Sequence, residues 1–247
     1  MSAGEPTLEG MSGVRRAVRL LGTLLLVAGV LTLAWVVVVW RWEDPFTAIQ
    51  TYFSQKHLRT AYVERTAKFE RTLHLKPIAD PSAAWREARV AAGAYRRTLT
   101  TGGPVGRLKI GRLGLDMYVV QGTDHESLKK GPGHYIGSSL PGQGGLIYIA
   151  GHRTTYLAPF AHIDDIRDGD YMTLEVPYGT FEYRAVRHYI VPADDLAMLR
   201  NTSHEILRLQ ACHPRFFATN RYIVDADLVA FTPARSTTLY AAPRPSS

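Results

Sequence analysis

The chain has one cysteine, Cys212, in 247 residues. That excludes a disulfide framework within the chain. It also argues against a structural zinc site, because the histidines are too scattered to complete three or four ligands at zinc-binding spacings. No metal or cofactor is expected. With 46% apolar and 21% charged residues the composition is that of a globular core. The net charge is +7, but the arginines are dispersed and no nucleic-acid motif accompanies them, so no nucleic-acid partner is expected. A basic exterior suits an anionic surface such as lipid headgroups or wall polymers.

Charge is missing altogether from Leu20 to Trp40, "LLGTLLLVAGVLTLAWVVVVW". About 20 apolar residues suffice to cross a bilayer as a helix. No small-residue cleavage site comes after it, so a removed signal peptide is disfavoured. Arg15, Arg16 and Arg19 precede the run, whereas Arg41 is followed by Glu43 and Asp44. The positive-inside rule then keeps the N-terminus cytoplasmic and exports the chain beyond residue 40. Trp35, Trp40 and Trp42 suit the outer interface. The expectation is a single-pass anchor in the cell membrane with an extracellular domain.

The expected divisions are a cytoplasmic segment 1–19, a transmembrane anchor 20–40, a helical stalk 41–102, a catalytic domain 103–233 and a loose tail 234–247. In the stalk, "TAIQTYFSQKHLRTAYVERTAKFERTL" has a broken helical period, and "KPIADPS" separates it from a second helix starting at Ser82. From Val105 short β-like runs appear: "VGRLKI", "LDMYVV", "GLIYIAGH", "YMTLEVP", "TFEYRAVRHYIVP", "EILRLQAC" and "RYIVDADLVAFTP". So many short strands within about 130 residues predict an all-β closed barrel or a sandwich. Short helices fit at "DHESLKK", "LAPFAHIDDI" and "ADDLAMLRN".

A cysteine that cannot pair within its chain is either a small buried side chain or a reactive thiol. A nucleophilic thiolate needs a base and a donor for the oxyanion it creates. His213, adjacent to Cys212 on one strand, should face the other way. His152 closes the strand-like "LIYIAGH" and is better placed. Arg221 opens the run after the one ending at Cys212, so an antiparallel pairing would bring its guanidinium within reach of the sulfur. His57, His74, His125, His162 and His204 are read as solvent-exposed and His188 as an outward barrel position. His134, in "GPGHYIGSSLPGQGG", is a candidate to line a groove.

"AGHRTTYLAPF" and "LQACHPRFFATNRYIV", in this order behind an N-terminal apolar span, resemble the sortase family, membrane-bound cysteine transpeptidases of Gram-positive surfaces. The likeness runs from about Val105 to Thr232 and looks closest to the class D and class E branches. It implies an eight-stranded β-barrel, with Cys212 as nucleophile, His152 as the acid–base group and Arg221 as oxyanion donor, and substrate contacts at Ala211, His134 and Tyr156. It further implies cleavage of a Thr–Gly bond in an LPxTG or LAxTG sorting signal through a thioacyl enzyme. A cell-wall precursor amine, lipid II-like, would then resolve that enzyme. The expected partners are thus sorting-signal-bearing proteins, that amine and membrane lipid. One departure stands out: sortases usually have threonine where this chain has Ala211. "DPF" at Asp44–Phe46 resembles the lid motif of pilin-polymerising sortases but abuts the apolar span, far upstream of the barrel. An L,D-transpeptidase would need a Ser–x–Gly–Cys signature, which is absent. The alternatives are a catalytically silent, membrane-tethered cell-envelope binding domain on the same scaffold, or a pilin-polymerising sortase.

Overall fold

The computed structural model describes residues 8–42, 45–72 and 80–243. The chain divides into two compact units, Met1–Pro45 and Phe46–Ser247. The first contains helix α1 (Leu8–Trp42). Its segment Gly13–Val38 has a mean hydropathy of 2.5 and no buried residues, and is long and apolar enough to cross a membrane. It suggests a membrane anchor. The side chains of Trp40 and Trp42, the Asp44–Phe46 motif, the join between the next two helices and His74 fall outside the described residues.

The second unit is a closed β-barrel with two helices packed on it, α2 (Pro45–Thr72) and α3 (Pro81–Arg96). Its strands are β1 (Pro104–Ile110), β2 (Leu115–Gln121), β3 (Gly133–His134), β4 (Leu146–Ala150), β5 (Tyr171–Val176), β6 (Gly179–Pro192), β7 (Ile206–His213) and β8 (Asn220–Pro233). They run in the order β6-β5-β1-β2-β3-β4-β7-β8, and β8 pairs back with β6 to close the barrel. Alternation along each strand sends Leu108, Ile110, Val119, Ile147, Ile149, Leu207, Leu209 and Val224 into one core with Phe160, Phe181 and Phe231. All seven strand-like runs are strands. The two-residue β3 lies in the glycine-rich loop, where no alternation could reveal it. Of the expected short helices, His125–Leu128 (α4) forms, while the other two are single 3-10 turns at Ile163–Asp165 and Leu196–Leu199.

Two expectations need correction. The tail is not loose throughout, because Tyr240–Ala241 forms a ninth strand, β9, paired with Phe231 and Ala230, and Tyr240 is buried. The helical region is not a free stalk either. Helix α2 lies along the barrel through Thr47, Thr51, Gln55, Leu58, Tyr62, Arg65 and Phe69, spaced three or four apart on one face. The start of that stripe is polar, so no apolar period betrays it. Thr51 is fully buried and its hydroxyl donates to the Lys129 carbonyl at 2.9 Å. Gln55 donates to the Tyr118 and Lys130 carbonyls and accepts from the Tyr118 amide. Gly131 has φ +151°, and a Cβ there would lie 2.3 Å from the Gln55 amide nitrogen, so glycine is required where the helix approaches. Helix α3 starts at an Asp80 cap and buries Ala84, Ala88, Ala91, Ala92 and Tyr95.

Candidate active site

The barrel register brings three of the expected residues together. In the antiparallel β7–β8 pair, Cys212 stands directly opposite Arg221. Opposed residues project from the same face with Cβ atoms about 4.5–5.5 Å apart. Strand β4 runs parallel to β7 on its other side, with Ala150 beside Gln210, and the Gly151 amide extends this ladder to the Gln210 carbonyl at 3.0 Å. His152 therefore comes level with Cys212 at the strand ends. The Arg221 guanidinium is held by the Ala218 and Asn220 carbonyls at 2.9 and 3.0 Å.

Behind the thiol the same face of β7 carries Gln210, Arg208 and Ile206, since alternate residues share a face. Arg208 is opposite Asp225 and forms a bidentate pair with it at 2.6 and 2.9 Å, both side chains 7% exposed. The Tyr148 hydroxyl donates to Gln210, and a small apolar cluster of Leu146, Tyr148, Ala150, Met198, Ile206 and Ile223 surrounds it. The ion pair fixes the register that sets Cys212 against Arg221; a slip of one residue would turn the thiol to the other face. Asp225→Asn should destabilise the protein by about 3–5 kcal/mol, since it leaves a buried guanidinium without its carboxylate. Urea unfolding followed by tyrosine fluorescence measures the loss.

The His152 imidazole is held below its ordinary pKa, first by burial and then by the neighbouring His125. Its Nε2 is buried and has no hydrogen-bond partner among the described residues. None of the described carboxylates orients the ring. The Tyr156 ring lies against it at 5.1 Å between centroids.

A family model described as a sortase domain matches residues 108–229. Sortase D of Bacillus subtilis is 35% identical over 129 residues, which span 50% of this chain and 63% of that protein. The structure of sortase E from Streptomyces avermitilis is 32% identical, with a TM-score of 0.50 over 56% of this chain and 96% of the other. The chain belongs to the sortase family. A sortase D5 transpeptidase of Clostridium perfringens, at 20% identity, shares the fold with a TM-score of 0.51 over 60% of this chain and 99% of its own. This sortase thus spans less than two thirds of its Bacillus subtilis relative and nearly the whole of the two solved domains.

Two of the three expected substrate contacts are buried in the sortase. Ala211 is fully buried in the main core, on the face of β7 opposite Cys212, and has no surface to offer a peptide. His134 is also buried, bonded through Nδ1 to Gln121 and through Nε2 to the Ser139 carbonyl and Ser138 hydroxyl. Burial pushes it down to about 4, so it stays neutral as a strut of the glycine-rich loop. Its adjacency to glycines suggested a groove, but its bonds to Gln121, Ser138 and Ser139 hold it inside. Tyr156 is half-exposed beside His152.

Sequence reasoning missed Arg153, whose placement no local pattern signals. It is 3% exposed. Its guanidinium pairs with Asp164 at 2.6 Å, meets His213 Nδ1 at 2.9 Å and donates to the Cys212 carbonyl at 3.4 Å. It ties the loop after His152 to the back of the cysteine strand. His213 faces this arginine and Tyr222.

Proposed function

We propose that this sortase is a membrane-anchored cysteine transpeptidase. The Cys212 thiolate attacks the carbonyl carbon of a Thr–Gly bond in an LPxTG- or LAxTG-type sorting signal. Arg221 donates to the tetrahedral oxyanion, and His152 as imidazolium protonates the departing glycine amine. A thioacyl enzyme remains. An amine of a cell-wall precursor, deprotonated by His152, attacks it and restores the thiol, joining the protein to the wall precursor. The observation that carries this reading is the register, with Cys212 opposite Arg221 and with Ala150, two residues before His152, beside Gln210, two residues before Cys212. The replacement of the usual threonine by Ala211 does not argue for a silent scaffold, because that methyl group is buried in the core on the face opposite Cys212. Of the expected substrate contacts, Tyr156 alone is retained.

The test is to incubate the full chain in detergent micelles with LPxTG-like and LAxTG-like peptides plus an amine. Mass spectrometry should find the peptide joined to the amine through its threonine carbonyl. Peptides left intact by active-site-titrated protein would refute the activity.

The anchor is taken to be single-pass with the N-terminus cytoplasmic. A membrane-impermeant thiol reagent added to intact cells, with the outer wall made permeable, should label Cys212. Labelling that appears only after lysis overturns this orientation.

The lowered His152 pKa and the absence of an orienting carboxylate among the described residues support a neutral imidazole as the main state at pH 7. The productive thiolate–imidazolium pair is then a minority, and turnover is slow and bell-shaped in pH. Iodoacetamide alkylation of Cys212 should be slow at pH 5 and accelerate through neutrality. A rate already maximal near pH 5 would mean a preformed ion pair instead.

A further inference from the structure

The loop that carries His152 is strained and externally held. Three consecutive residues, Tyr156, Leu157 and Ala158, have φ of 55°, 59° and 36°. That left-handed region is disfavoured for any residue with a Cβ. The loop's own backbone bonds run from the Phe160 amide to the His152 carbonyl at 3.1 Å, from the Ala158 amide to the Thr155 carbonyl at 2.8 Å and from the Ala161 amide to the Ala158 carbonyl at 2.8 Å, and none engages the Tyr156 amide. The amide of Tyr156, the first strained residue, instead donates to the Thr47 hydroxyl at 2.9 Å. Thr47 lies in the first turn of α2, which comes after the apolar span in the chain.

That first turn has firm footing. One turn along, Thr51 is bonded to Lys129, and a further turn along, Gln55 makes three bonds to the barrel backbone. A threonine hydroxyl anchored by such a helix can hold a strained loop in place. The held residue, Tyr156, packs its ring against His152 on one side and lies 6.4 Å from His125 on the other.

We propose that Thr47 is a positioning residue: through the Tyr156 amide, the first turn of α2 latches the histidine loop and sets the imidazole beside Cys212. This rests on His152 being the acid–base group. Catalytic competence then depends on a helix outside the barrel, reached in the chain directly from the apolar span.

The test uses the full chain in micelles carrying Thr47→Val, which keeps the shape and removes the hydroxyl, and Thr47→Ser, which restores it. Tyr62→Phe, which removes the bond from the far half of α2 to the Glu175 carbonyl, serves as a control for loosening α2 away from the histidine loop. Hydrogen–deuterium exchange in peptides covering residues 153–160 should accelerate in Thr47→Val but not in Thr47→Ser or Tyr62→Phe. The kcat of Thr47→Val should fall about 10–100-fold, the size expected when a catalytic group is displaced by about an ångström. KM should be little changed, and Thr47→Ser should match the parent. Unchanged exchange overturns the latch, and accelerated exchange with parental kcat overturns the positioning role. Activity surviving in His152→Ala would refute the underlying assignment and the positioning role with it, even where Thr47→Val still frees the loop.

Discussion

Full-length protein carrying Cys212→Ala should form no acyl adduct and transfer no peptide. In the proposed reaction the acyl group is held covalently on sulfur, and the chain has no second thiol to substitute. Cys212 sits half-exposed near the end of β7 rather than in the core. Its truncation should therefore shift stability by no more than about 1 kcal/mol, and circular dichroism should find the fold intact. Intact-mass measurement after exposure to peptide would display the thioacyl adduct in the parent and none in the variant. Transfer that continues in Cys212→Ala would end the nucleophile assignment. His152→Ala should also lose most of its activity, whereas His213→Ala, whose ring faces Arg153 and Tyr222, should retain much of it.

Arg221→Ala should lower kcat and kcat/KM together by about 100–1,000-fold, because a donor to an oxyanion acts in the transition state and not on the bound peptide. Lysine should not restore the rate. The guanidinium keeps two N–H groups on the Ala218 and Asn220 carbonyls and has others free to point elsewhere, a division that an ammonium cannot reproduce. The measurement is steady-state transfer with peptide and amine varied separately. A loss confined to KM would make Arg221 a binding group, and parental kinetics would remove it from the site.

The barrel was legible because each long strand has its own alternation and its own glycine or proline boundary. The Cys212–Arg221 relation was legible for the same reason, since a short connection between adjacent strands admits few registers. His152 required the parallel β4–β7 pairing, which joins segments about 60 residues apart and leaves no local trace. The docking of α2 was illegible for a different reason. Its contact face begins with Thr47, Thr51 and Gln55, residues that read as solvent-facing because their partners are backbone groups of remote loops. Arg153 reads the same way: a charged residue in a polar loop looks exposed until Asp164 and His213 arrive. Ala211 and His134 were misjudged by proximity, since neighbours in sequence on a strand belong to opposite faces.

Strand β8 pairs with β7 along one side and with β6 along the other. The strand that closes the barrel is also the one that delivers Arg221 to the thiol, so folding and arming of the enzyme are a single event. A chain still lacking residues beyond Asn220 has neither a sealed core nor the proposed oxyanion donor. Closure also waits on the β4–β7 contact, whose long sequence separation makes it slow to find. A nascent chain therefore passes through its open stage with the proposed catalytic set incomplete, and that set is completed as the barrel closes.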